Sequence, residues 1–134
     1  MTDRKTIPVS HPVLSGNEKR YVLECLETGW ISSIGRFIRL FEEGFAKYCE
    51  ADHAVACSNG TTALHLALEG LRTGPGDEVI VPTLTYVATA NAVRYCGARP
   101  VFVDSEPRTM TLDVARIEER ITPRTKGILV VHLY

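Results

Sequence analysis

HAVACSNGTTALHLALEGL, residues 53–71, changes character halfway along. It opens as a short apolar run (Ala54, Val55, Ala56, Cys57) that reads as a buried strand, breaks at Ser58-Asn59-Gly60, and continues with Leu64, Leu68 and Leu71 at helical spacing. The small residues of the turn feed Thr61 and Thr62 into the first helical turn. A helix start leaves backbone N–H groups without partners and carries the positive end of the macrodipole. Gly60 admits a ligand close to the backbone and the threonine hydroxyls add donors, so the chemistry is that of a phosphate seat. No Gly-x-Gly-x-x-Gly is present and no lysine follows the glycine, which argues against dinucleotide and nucleoside-triphosphate loops. The alternative is a plain strand-to-helix turn capped by Ser58 or Asn59.

Outward from that stretch, the chain has the size and composition of one globular domain or less: 134 residues, 45% hydrophobic. Fifteen Lys plus Arg stand against sixteen Asp plus Glu, so no basic field points to nucleic acid or to anionic lipid. The four cysteines, Cys25, Cys49, Cys57 and Cys96, form no Cys-x-x-Cys pair; neither a metal site nor a disulfide framework is expected, and a reducing cytoplasm fits. No apolar run resembles a signal core or a membrane span.

Upstream, residues 1–14 read as an extended arm, with Pro8 and Pro12 opposing a helix. Ser15 and Glu18 suggest a capping box for a helix that stops at Gly29. Trp30-Ile31-Ser32-Ser33-Ile34-Gly35 is an apolar, hydroxyl-rich loop, and a second helix sets Phe37, Phe41, Phe45 and Tyr48 on one packing stripe. Downstream, a turn at Gly74-Pro75-Gly76-Asp77 precedes a strand over 78–81, and 83–95 reads as a helix closing at Gly97. A buried strand over 100–103 ends in Asp104, a helix capped by Asp113 carries Val114, Ile117 and Ile121, and a last strand covers 128–133. The arrangement is an arm with two helices over 1–52, then β-α-β-α-β-α-β over 53–134. This alternation predicts an α/β protein with a mostly parallel sheet and helices on both faces. Ligands of such sheets gather at the carboxyl ends of the strands, here 58–62, 82–86, Asp104 and 132–134.

TGWISSIGRF, SNGTTALHLAL, GPGDEVIVPTLTYVATANAV and PVFVD, four motifs in the right order over essentially all 134 residues, resemble the DegT/StrS-type sugar-nucleotide aminotransferases, and among them the perosamine-synthase-like branch. The resemblance implies the N-terminal part of a fold-type-I large domain in a homodimer. It implies pyridoxal 5'-phosphate as cofactor, with glutamate as amino donor and a nucleotide-linked keto-sugar as acceptor. Carried onto this sequence, it places the cofactor phosphate at Gly60, Thr61 and Thr62, the cofactor ring against Tyr86, and the substrate near Trp30, Ser32 and Ser33. It also implies that strands 78–81, 100–103 and 128–133 pair in the order 3-2-4, leaving 54–57 without its neighbour.

Transamination needs a lysine to hold the cofactor and a carboxylate for the pyridinium nitrogen. Lys5, Lys19, Lys47 and Lys126 lie on an arm, on solvated helix faces or at the wrong strand end, so no residue of this chain is assigned to catalysis. An incomplete aminotransferase, inactive alone, is therefore expected; the alternative is a short non-catalytic product that dimerises or binds phosphorylated ligands. Asp104, His65 and His132 read as structural, and Asp77-Glu78 as a turn rather than an acid–base pair.

Overall fold

The computed structural model describes residues 7–133, which fall into two units, one up to Ala56 and the other from Cys57 onward. Part of the arm expected over 1–14 lies outside the described residues; 7–14 carry neither helix nor strand.

In the first unit, α1 spans Glu18–Thr28 and α2 spans Arg36–Tyr48. The capping box at the start of α1 is only half formed. Glu18 reaches back to accept the Gly16 N–H at 2.9 Å, but the N-cap position is Asn17 and no side chain caps there. The aromatic stripe of α2 is not the packed face that its spacing suggests: Phe41, Phe45 and Tyr48 remain exposed, and Ala46 is the helix's buried residue. Residues 54–57, read as a strand, carry none; instead the Ala56 N–H is donated to the Glu42 carboxylate at 2.9 Å.

The second unit holds α3 (Gly60–Gly70), β1 (Glu78–Pro82), α4 (Val87–Tyr95), β2 (Arg99–Val103) and β3 (Thr125–Ile128). All three strands are parallel in the order β2-β1-β3, which is the 3-2-4 order of the expected topology. β1 is central and wholly buried, and its pleat sorts the core. Val79 and Val81 point to one face, where Leu68 of α3 and Ala92, Val93 and Cys96 at α4 cover them. Ile80 points to the other face, against Val103 and Leu112, with Ile117 packed on.

That second face is covered by 3₁₀ turns, Val114–Arg116 and Glu118–Arg120, not by the α-helix expected there. Asp113 does cap, accepting the Ala115 N–H at 3.1 Å, but β-branched Val114 and Ile117 favour a tight turn over propagation. α4 begins four residues later than its spacing predicts, because the Thr83 N–H still serves the ladder by donating to Val103 O at 2.9 Å. β3 starts earlier than expected, since its register is set by the pairing of Thr125 with Glu78; past the Leu129 N–H, donated to Ile80 O, the chain leaves the ladder. β2 is also less buried than its apolar letters suggest.

Two glycines hold the crossovers. Gly97 ends α4 at φ +76°, and a Cβ there would lie 3.1 Å from the Pro75 ring. Gly76, at φ +93°, completes the turn in which Asp77 accepts the Gly74 N–H at 3.0 Å. No helix among the described residues is long and apolar enough to cross a membrane.

Candidate functional site

A cleft of about 790 Å³ opens in the second unit, lined by Gly60, Thr61 and Leu64 of α3, by Thr85 and Tyr86 after β1, and by residues 129–132 after β3. It lies at the carboxyl ends of the strands, where a parallel sheet exposes helix starts and unpaired backbone. Three of the four strand-end groups singled out in the sequence meet there.

The start of α3 is built by a reciprocal cap. Asn59, in extended conformation, accepts the Thr62 N–H on its side-chain oxygen at 3.0 Å, while the Thr62 hydroxyl receives the Asn59 N–H at 3.3 Å. The Thr62 hydroxyl in turn donates to Asn59 O at 2.8 Å. The two threonines thus separate. Thr62 is committed to the cap and does not line the cleft, whereas Thr61 does. Among the described residues, the N–H groups of Gly60 and Thr61 and the Thr61 hydroxyl have no partner, and the space where a Gly60 side chain would project is empty. Two free amides and one hydroxyl at the positive end of an eleven-residue helix fit a phosphate group.

Tyr86 is the N-cap residue of α4 and is 73% exposed, so it is a ring presented to the cleft rather than a core aromatic. Behind it, the Thr85 and Thr89 hydroxyls share a 2.8 Å hydrogen bond in the cleft wall. Sequence reading did not single out this pair. Its signal is the repeat of threonine at i, i+4 across a helix start, easily read as ordinary packing. His132 also lines the cleft. Asp104 does not; it accepts the Thr83 hydroxyl and the Ser105 N–H, each at 3.1 Å, the satisfying role expected for a strand-end carboxylate. No lysine lines the cleft among the described residues.

The first unit holds a smaller pocket of about 340 Å³, lined by Glu24, Thr28, Trp30, Ser32, Arg36 and Phe37 among others. Ser33 is not part of its lining. Ser32 accepts the Ile34 N–H at 3.1 Å, closing a turn inside the loop, and neither serine caps α2, whose N-cap is Gly35. Trp30 is exposed.

Away from the cleft, Glu78 is a buried carboxylate at the base of β1. It takes Arg99 at 2.5 Å, Arg124 at 2.8 Å and the Thr122 hydroxyl at 2.8 Å. The hydrogen bond from Arg99, then that from Thr122, holds it below the usual carboxylate range against the opposing effect of burial. On α3 and α4, His65, Glu69 and Cys96 converge although the sequence separates Cys96 from the other two. Burial, and after it Glu69, pushes the Cys96 thiol up.

Known proteins resemble this chain in sequence and in fold. The chain is 63% identical to the GDP-perosamine synthase of Caulobacter vibrioides over 134 residues, which is all of this chain and 36% of that protein. It is 55% identical to the GDP-perosamine synthase of Escherichia coli O157:H7 over 97% of this chain and 36% of that one. The chain thus spans about a third of the length of these curated relatives. Among solved structures, NtdA of Bacillus subtilis with bound cofactor PMP superposes with a TM-score of 0.80 at 41% identity, over 87% of this chain and 26% of its own. The parallel sheet and its helices are accordingly part of a fold-type-I domain. The DegT/DnrJ/EryC1/StrS aminotransferase model matches residues 12–134, which include the cap of α3, the Tyr86 loop and all three strands, and the chain belongs to that family.

Proposed function

We propose that the chain is the N-terminal part of a pyridoxal 5'-phosphate-dependent aminotransferase, acting as a homodimer, that moves an amino group from glutamate to a nucleotide-linked keto-sugar. The product would be a perosamine-like amino sugar for polysaccharide or O-antigen assembly. The observation that supports this reading best is the cleft in which unpartnered amides at the start of α3 stand with an exposed tyrosine ring. When bound, the cofactor's pyridine ring serves as the electron sink for amino transfer.

The chain's own residues bind and orient. The Gly60 and Thr61 N–H groups and the Thr61 hydroxyl take the phosphate, at the helix end whose dipole favours an anion. Asn59 and Thr62, locked together, keep those amides aimed outward. Tyr86 stacks on the ring, a contact of order 1 kcal/mol beyond area burial. Trp30, Ser32 and Ser33 serve the substrate side. None of the four lysines of this chain is assigned to hold the cofactor and none of its carboxylates to the pyridinium nitrogen, so the 134-residue chain by itself is expected to be inactive.

The test uses a protein of the relatives' full length that carries this chain, supplied with pyridoxal 5'-phosphate, glutamate and a nucleotide-linked keto-sugar. Amino sugar should form, detected by mass, and Thr61→Ala should weaken cofactor binding by roughly 1 to 2 kcal/mol. Unchanged cofactor affinity in the variant would remove the phosphate assignment. Tight cofactor binding without amino transfer to any such sugar would remove the substrate assignment.

A further inference from the structure

Where α3 meets the end of α4, a second constellation, independent of the cofactor reading, runs from the exposed Glu69 through His65 to Cys96 at the edge of the apolar core. His65 and Glu69 stand one turn apart on α3, with His65 Nε2 at 3.5 Å from the Glu69 carboxylate. Cys96, the C-cap residue of α4, supplies a buried sulfur beneath them. One imidazole nitrogen, one carboxylate oxygen and one sulfur lie within 4.8 Å of one another. The Tyr95 ring lies 5.6 Å from the imidazole, giving its orientation a neighbour on α4.

We propose that His65, Glu69 and Cys96 form a binding site for a zinc-class divalent cation that staples α3 to α4. With metal–ligand bonds of about 2.0 to 2.3 Å, ligand atoms in a tetrahedral site lie about 3.3 to 3.8 Å apart. The His65–Glu69 separation of 3.5 Å already falls in that range, and all three ligand atoms lie within 4.8 Å of one another. The donor set is the one zinc and cobalt favour, since sulfur and imidazole disfavour magnesium and calcium. Charge also balances: the cation displaces the thiol proton to solvent, and thiolate plus carboxylate neutralise its two charges. His65 and Glu69 are 39% and 55% exposed at their side chains, which leaves an entry path and room for water as the fourth ligand. Because α3 also presents the Gly60 and Thr61 amides, a bound cation would stiffen the helix that carries them.

Cobalt(II) alone, titrated into the full-length protein and read at the red end of the visible spectrum where the pyridoxal group does not absorb, tests this. Tetrahedral cobalt bands should saturate at one ion per chain, bleach on adding zinc, and disappear in Cys96→Ala. His65→Gln and Glu69→Gln should each weaken cobalt binding about tenfold or more. These two substitutions sit on the solvent side, so they carry the test if Cys96→Ala does not fold. Absence of tetrahedral bands in the parent, their persistence in Cys96→Ala, or parental affinity in both His65→Gln and Glu69→Gln would overturn the site.

Discussion

Glu78 shows how one side chain joins distant parts of the chain. It opens the central strand, is 1% exposed, and collects Arg99 from β2 together with Thr122 and Arg124 from the turn before β3. A buried carboxylate alone would be costly; with two guanidinium groups and a hydroxyl its oxygens are satisfied. Its proton affinity is lower in the folded chain than in the unfolded one, where a glutamate titrates near about 4.3. The stabilisation is therefore complete above about pH 5 and is lost as the pH falls through the lowered native value. Glu78→Gln should destabilise the protein at neutral pH and flatten the dependence of stability on pH below about 5. Denaturant melts of parent and variant across pH 3 to 7, roughly the range over which a glutamate titrates, check this. Parallel curves for the two would show that Glu78 is not the titrating group.

At the scale of elements, α3 is the piece on which the site turns, and its first turn depends on Asn59. Asn59→Ala removes the acceptor for the Thr62 N–H and should cost about 1 kcal/mol, while Asn59→Gly should cost only a few tenths. Midpoints of denaturant unfolding measure both; equal losses would mean that the cap is not what holds the helix start. Local pattern made this element legible, because a break at Ser58-Asn59-Gly60 between two apolar periodicities is a short-range signal. The strands β1 and β2, the Gly29 and Gly97 helix stops and the Asp113 cap were legible for the same reason, whereas β3 shares only Ile128 with the strand expected over 128–133. The misses arise where long-range pairing overrides local preference. Residues 54–57 look like a strand but gain no ladder, and Thr83 looks helical but stays in one. Glu78's partners lie 21 to 46 residues away, so no local pattern could announce the clamp. The cleft is intermediate. Gly60 and Thr61 could be named from the local pattern, together with Thr62, which does not line the cleft, and Tyr86 from the family resemblance, whereas the Thr85–Thr89 pair and the 129–132 wall follow from where β1 and β3 end.

Taken whole, the chain distributes its packing unequally. The unit from Cys57 onward has a central strand buried along its entire length, with apolar clusters on both sheet faces. The unit up to Ala56 buries no residue of α1 and only Ala46 of α2, and it exposes Val22, Leu26, Phe41, Phe45 and Tyr48. Its apolar faces recover little of the burial free energy, about 25 cal/mol per Å², that must offset chain entropy. Within the second unit, β3 leaves one flank unpaired among the described residues, with Ile128 and Val130 exposed beside it, a template for pairing with another strand. Domain stability is only about 5 to 15 kcal/mol, so an unpacked helix pair and an open apolar edge remove a decisive share. The 134-residue chain expressed by itself should therefore unfold without a single cooperative transition. Amide exchange should be slow at residues 79–81 of β1 and complete within the dead time along α1, with aggregation rising with concentration. The expectation rests on the contrast between the units rather than on low stability everywhere. One sharp melt with comparable protection in α1 and β1, in chain shown to be monomeric, would contradict it.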